Sequence, residues 1–274
     1  MRILGIDFTS RPGRRKPLTC VEAELKGTTL QATGFREWAS FEEFEAALLQ
    51  PGPWIAGIDF PFGQSRRFVE NIGWPESWEA YVELLKRLER AQFRQLLDDY
   101  RQPRPPGDKE HRRKTDIAAG SISPQKLYGV PVGLMFFEGA PRLLDSGANI
   151  PALRQGDPTR TVVEAYPGVL ARNLIGRRSY KNDSKNKQTE QQLAARRDIL
   201  SLVNRGGVVE HYGIEVNAPG ELAEDPGGDP LDALLCAIQA AWAWAHRDDG
   251  FGAPESVDAT EGWIADPAAT GNYP

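Results

Sequence analysis

Two stretches of the chain nearly repeat each other: ILGIDF at residues 3–8 and IAGIDF at 55–60. Neither alternates polar with apolar residues, so as strands both would be buried on both faces. Such strands belong in the middle of a sheet covered by helices on either side. Each run then ends in an aspartate, Asp7 or Asp59. In open α/β sheets, ligand sites form beyond the carboxyl ends of the strands. The echo therefore predicts two carboxylates at one rim of a sheet. Pro61 follows Asp59 closely, halting the strand and holding that carboxylate at the rim.

The rest of the chain supplies partners for these strands. LTCVEAEL (18–25), a turn at Lys26-Gly27 and TTLQATGF (28–35) read as a hairpin. SFEE at 40–43 is a capping box that starts a helix, which must end before Pro51. Apolar residues from Trp78 to Tyr100 recur at helical spacing and predict one long amphipathic helix over about 76–101. The proline-rich, basic segment 102–125 reads as a long loop, and loops of that length are usually functional or mobile. TVVEAYP (161–167) is a fifth strand, and a helix over roughly 187–204 ends at Gly206-Gly207. A last helix, in GGDPLDALLCAIQAAWAWAH, buries Leu231, Leu234, Leu235, Ile238 and Trp242. The expected fold class is α/β: a mixed sheet of three antiparallel strands followed by parallel strands, flanked by helices. Residues 1–274 form one domain, with a helical and loop insertion at about 64–158.

Composition narrows the class of function. The chain has 274 residues, 40% hydrophobic and 26% charged, as expected of a soluble protein with a sizeable core. A net charge of −5 gives no global electrostatic case for nucleic acid, although local clusters at Arg11–Lys16, His111–Lys114 and Arg177–Lys187 can still hold phosphate. Cys20 and Cys236 show no metal or redox spacing and read as buried free thiols in a reducing compartment. The three histidines, His111, His211 and His246, show no metal spacing and read as surface residues. No signal-peptide pattern opens the chain, and the apolar stretch Leu231–Ala245 is too short to span a bilayer. The expectation is a cytoplasmic protein without a membrane partner.

Chemistry concentrates in acids. Asp7 and Asp59 stand at strand ends, Glu164 lies inside the fifth apolar run, and Asp229 and Asp232 share one face at a helix start. Each has an ordinary structural reading: turns for the first two, an arginine partner for Glu164, and a cap and a dipole-favoured N3 acid for the helix pair. Together they point to one rim, where like charges repel unless a hard cation neutralises them. One or two Mg²⁺ or Mn²⁺ ions held by the aspartates would activate water for phosphoryl displacement, with Asp7, Asp59, Glu164 and Asp232 as the candidate catalytic acids.

The arrangement resembles the ribonuclease H-like fold. More closely, GIDFTS, GIDFPFG, VEAYPGVLAR, YKND and DPLDALLCAIQAAWA, with EGWI near the end, resemble the DUF429 family of predicted nucleases. The resemblance implies that Asp7 is the first-strand metal ligand, Asp59 the fourth-strand ligand and Asp232 the last-helix ligand, with Asp229 assisting. Glu164 has no counterpart in ribonuclease H itself.

The expected activity is divalent-metal-dependent phosphodiester hydrolysis on nucleic acid or another phosphoester. Candidate substrate-binding groups are Arg14, Arg15 and Lys16 after the first rim aspartate, Arg112, Arg113 and Lys114 in the long loop, and Lys181 after the fifth strand. A basic loop over 107–118 is expected to border the cleft and to be ordered only by substrate. The rival readings are a small-molecule kinase or ATP-binding protein of the actin-like fold, which would need glycine-rich phosphate loops, and a non-catalytic nucleic-acid-binding module.

Overall fold

A computed structural model describes residues 1–182 and 184–273. Its strands are β1 (Arg2–Asp7), β2 (Leu18–Lys26), β3 (Thr29–Trp38), β4 (Trp54–Ile58), β5 (Ala148–Asn149), β6 (Asp157–Glu164) and β7 (Glu215–Asn217). They form one sheet in the order β5-β6-β4-β1-β2-β3-β7. The β1–β2 and β2–β3 pairs are antiparallel, and β1–β4, β4–β6, β5–β6 and β3–β7 are parallel. This mixed sheet is the expected fold class and is consistent with a ribonuclease H-like fold. The echoing segments are the adjacent central strands β1 and β4. β5 and β7 carry no signal in the sequence because two or three residues are too few to show alternation.

Helices cover both faces. Between β3 and β4 lies α1 (Phe41–Leu48); between β4 and β5 come α2 (Arg66–Asn71), α3 (Trp78–Leu85), α4 (Arg90–Arg101), α5 (Lys114–Ala119) and α6 (Val132–Ser146). After β6 follow α7 (Pro167–Ile175), α8 (Glu190–Asn204), α9 (Val209–Tyr212), α10 (Asp229–Ala245) and α11 (Pro267–Gly271). One apolar core lies between the sheet and α7, α8 and α10; a second lies between the opposite face and α1–α4 with α6. No helix among the described residues is long and apolar enough to cross a membrane. Cys20 and Cys236 are buried free thiols.

Three local expectations need correction. The long helix over 76–101 is two helices, because Glu89 starts a new one: its amide donates to Gln92 Oε1 at 2.7 Å. Hydrophobic spacing runs through such a break unaltered. The loop after α4 is also more built than its composition suggests. His111, Arg113, Thr115 and Asp116 are buried, and α5 lies within it. His111 is therefore no surface residue; its Nε2 lies 2.6 Å from the Tyr100 hydroxyl. At α1, Ser40 does accept from the Glu43 amide, but Glu43 reaches back to the Ala39 amide.

Candidate functional site

Side chains alternate faces along a strand, so position parity decides where each strand-end acid points. In β1 and β4 the register pairs Ile3 with Ile55 and Gly5 with Gly57. Ile3 and Ile55 belong to the core under α10, whereas Leu4, Ile6, Ala56 and Ile58 belong to the opposite core. Two residues beyond each glycine, Asp7 and Asp59 therefore point to the α10 face. The Asp59 amide still donates to the Ile6 carbonyl at 3.0 Å, extending the ladder to the carboxylate.

The glycines explain why α10 reaches this rim. A Cβ on Gly5 would lie 1.9 Å from the Ala233 carbonyl oxygen, and one on Gly57 would lie 2.4 Å from that of Cys236. Side by side, they form a trough in which the helix backbone rests directly on the strands. That close approach brings Asp229 and Asp232, in the first turn of α10, up to Asp7 and Asp59. Asp229 is not the N-cap expected from Asp-Pro. Gly228 holds that position at φ 79°, and the Asp225 carboxylate accepts from the Gly228 amide at 2.8 Å. Asp229 is thereby left free to face the cavity.

That cavity, of about 740 Å³, is lined by Asp7, Asp59, Asp229, Lys16 and Lys181 among others. Its acids differ in their partners. Asp229 takes the Lys16 ammonium on both oxygens, at 2.8 and 2.9 Å. Asp232, wholly buried, accepts the Tyr180 hydroxyl on Oδ1 at 2.7 Å and the Lys181 ammonium on Oδ2. Among the described residues, no hydrogen bond or ion pair reaches the carboxylates of Asp7 or Asp59. Burial is the main cause that pushes Asp7 well above the usual carboxylate range, with Lys181 opposing it and Asp229, Asp232 and Asp59 adding repulsion. Asp59 is pushed up to about 7, again mainly by burial, with Lys181 opposing and Asp232 and Glu164 adding. Burial would depress Lys181, but Asp232, Tyr180 and Asp7 hold it well above an ordinary lysine.

Glu164 does not join this set. It pairs in register with Ile58, one residue out of phase with Gly57, and so turns to the other layer. There Arg113 meets it at 2.7 Å (Nη1 to Oε2) and 2.5 Å (Nη2 to Oε1), while the Phe62 amide donates to Oε2 at 2.8 Å. Asp116 holds the other side of the same guanidinium, at 2.8 Å. Arg113 is 1% exposed, so this member of the expected phosphate-binding group is an internal counter-ion. A smaller cavity of about 220 Å³ runs from Asp59 and Lys181 to this cluster.

The other basic candidates fall on the surface. A tight turn, closed by Gly13 and Lys16 exchanging backbone hydrogen bonds at 3.1 Å, projects Arg14 and Arg15 into solvent, and Arg15 lines the larger cavity. Arg112 and Lys114 are exposed, and neither lines either cavity. Asp183 of YKND lies outside the described residues. Sequence reasoning missed what EGWI does. Glu261 accepts from the Arg66 amide at 2.8 Å and the Lys114 amide at 2.9 Å, capping the first residues of α2 and α5 together. It also missed a hollow of about 530 Å³ lined by Arg172, Arg177, Arg178 and Tyr180, next to the Tyr180–Asp232 bond.

No group of three or more His, Cys, Asp or Glu side chains among the described residues is gathered closely enough to hold a metal ion alone. Mg²⁺ does not require such a cage, since it keeps several waters and binds through one or two carboxylates with substrate phosphate. Asp7 and Asp59 supply that donor set: hard oxygens, crowded by like charge, facing a cavity and lacking partners among the described residues. The site fits such an ion through these two residues, with Asp229 and Asp232 held by lysines.

A family model described as "Protein of unknown function (DUF429)" matches residues 5–256. No curated protein and no solved structure matches the chain.

Proposed function

The chain belongs to the DUF429 family, and from that premise we propose that it is a divalent-metal-dependent phosphodiesterase acting on nucleic acid. One observation carries the reading. Two carboxylates at the ends of adjacent parallel strands face one cavity, with no hydrogen bond or ion pair to either among the described residues. Uncompensated burial of that kind is costly, and sites that bear it are commonly functional. Asp7 and Asp59 would hold Mg²⁺ or Mn²⁺. When bound, the ion would polarise the phosphoryl oxygen and lower the pKa of a water. Arg15 at the mouth, and Arg177 and Arg178 in the neighbouring hollow, place positive charge where a polyanion would run. Lys16 and Lys181 hold Asp229 and Asp232 in place.

The test combines binding with turnover. Mg²⁺ or Mn²⁺ should raise the melting temperature, through preferential binding to the folded state, and should support cleavage of at least one of single-stranded, duplex or branched substrates. If the protein binds these nucleic acids but gains no stability from either ion and cleaves none, it is a binding module.

A further inference from the structure

On the reading of this cavity as a divalent-cation centre, we propose that Lys181 is the centre's permanent second cation, so that the site takes one divalent ion per chain. The inference rests on that reading and on how the four acids are partnered. Lys16 answers Asp229 and Lys181 answers Asp232, which leaves Asp7 and Asp59. When both are ionised, their two charges equal one divalent ion. A second would have to bind where an ammonium already sits.

Asp232 is the acid that a two-ion centre would need and that this chain has closed off. It is 0% exposed, and both of its oxygens are taken, one by the Tyr180 hydroxyl and one by Lys181. Using it as a ligand would require withdrawing the ammonium and breaking or reorienting the tyrosine bond. Asp7 is the opposite case: 6% exposed, at the cavity wall, with no partner among the described residues. Lys181 lines the same cavity as Asp7 and Asp59 while its ammonium is bonded to Asp232, so it lies among the acids. Its stem enters from the segment after α7, with about a third of the side chain exposed. A residue so placed presents positive charge to bound phosphate without leaving Asp232.

The experiment counts Mn²⁺ bound to the full-length protein by electron paramagnetic resonance and by calorimetry. Wild type should bind one ion. Lys181→Met frees the Asp232 carboxylate and should bind two, and Lys181→Met with Asp232→Asn should return to one. Lys181→Arg keeps the charge and should bind one, so it tests the proposal with the wild type if the methionine variant does not fold. Two ions in wild type, two in Lys181→Arg, or one in folded Lys181→Met would overturn the proposal while leaving the metal-centre reading in place. No ion in wild type would overturn both.

Discussion

Asp59 and Glu164 stand at the ends of neighbouring parallel strands, yet they have opposite surroundings. Asp59 follows Gly57 by two residues and faces α10 and the open cavity, without a protein partner among the described residues. Glu164 aligns with Ile58 and faces the layer opposite α10, where Arg113 and the Phe62 amide satisfy both oxygens. A single step of phase separates a carboxylate available to ligand from one committed to the fold. Being at a strand end is thus insufficient to mark an acid as catalytic. Face and partner decide.

The comparison is broken most strongly at Asp59. Asp59→Asn keeps shape and removes the charge of a proposed ligand, so divalent-dependent cleavage should fall by at least about 100-fold, measured under single-turnover conditions. The cation-free melting temperature should hold or rise, because repulsion with Asp232 and Glu164 is relieved. Glu164→Gln should do the reverse. Leaving the Arg113 guanidinium short of a charged partner should cost about 3–5 kcal/mol in denaturant unfolding. Cleavage per folded molecule should fall far less than for Asp59→Asn; equal losses would erase the distinction between the clusters.

Acidity sharpens the same contrast with a smaller effect. Asp59 titrates at about 7 when folded, against about 3.9 for an unfolded aspartate. The folded state therefore holds this proton more tightly. The resulting stability is fully present below about pH 4 and is lost as pH rises through 7, at no more than ~1.4 kcal/mol per pH unit for one group. Asp7 is shifted in the same direction. Cation-free protein should thus melt lower at pH 7 than at pH 5. Saturating Mg²⁺ should shrink that difference by favouring the ionised carboxylates, and Asp59→Asn should remove its own share. A cation-free melting temperature that rises over this range in wild type and variant alike would contradict the assignment.

Much of the α10-face arrangement could be read from the residues. The echo of ILGIDF and IAGIDF gives two central strands, and their identical phase places both aspartates on one face. The reason for glycine in both was not legible, because it lies in the backbone of a helix more than 200 residues away from Gly5. Glu164 carried an ambiguous signal. An acid in an apolar strand needs a partner, but Arg113 lies in a segment whose composition suggests solvent. Ionic burial leaves no hydrophobic periodicity to read. Lys181 was visible as a charge near an acidic site, while its grip on Asp232 depends on where the chain after α7 is led.

The seating of α10 in the glycine trough also sets an order of events during synthesis. The strands that carry Asp7 and Asp59 leave the ribosome before α10, and the Lys16–Asp229 pair spans 213 residues of chain. Until α10 emerges, the trough between Gly5 and Gly57 has no occupant and the apolar face around it has no cover. Long-range closure of this kind is slow, and it leaves nascent sheet exposed to wrong pairings. The four-acid arrangement consequently forms only once α10 has been made: a growing chain cannot gather these acids before it has also covered the trough.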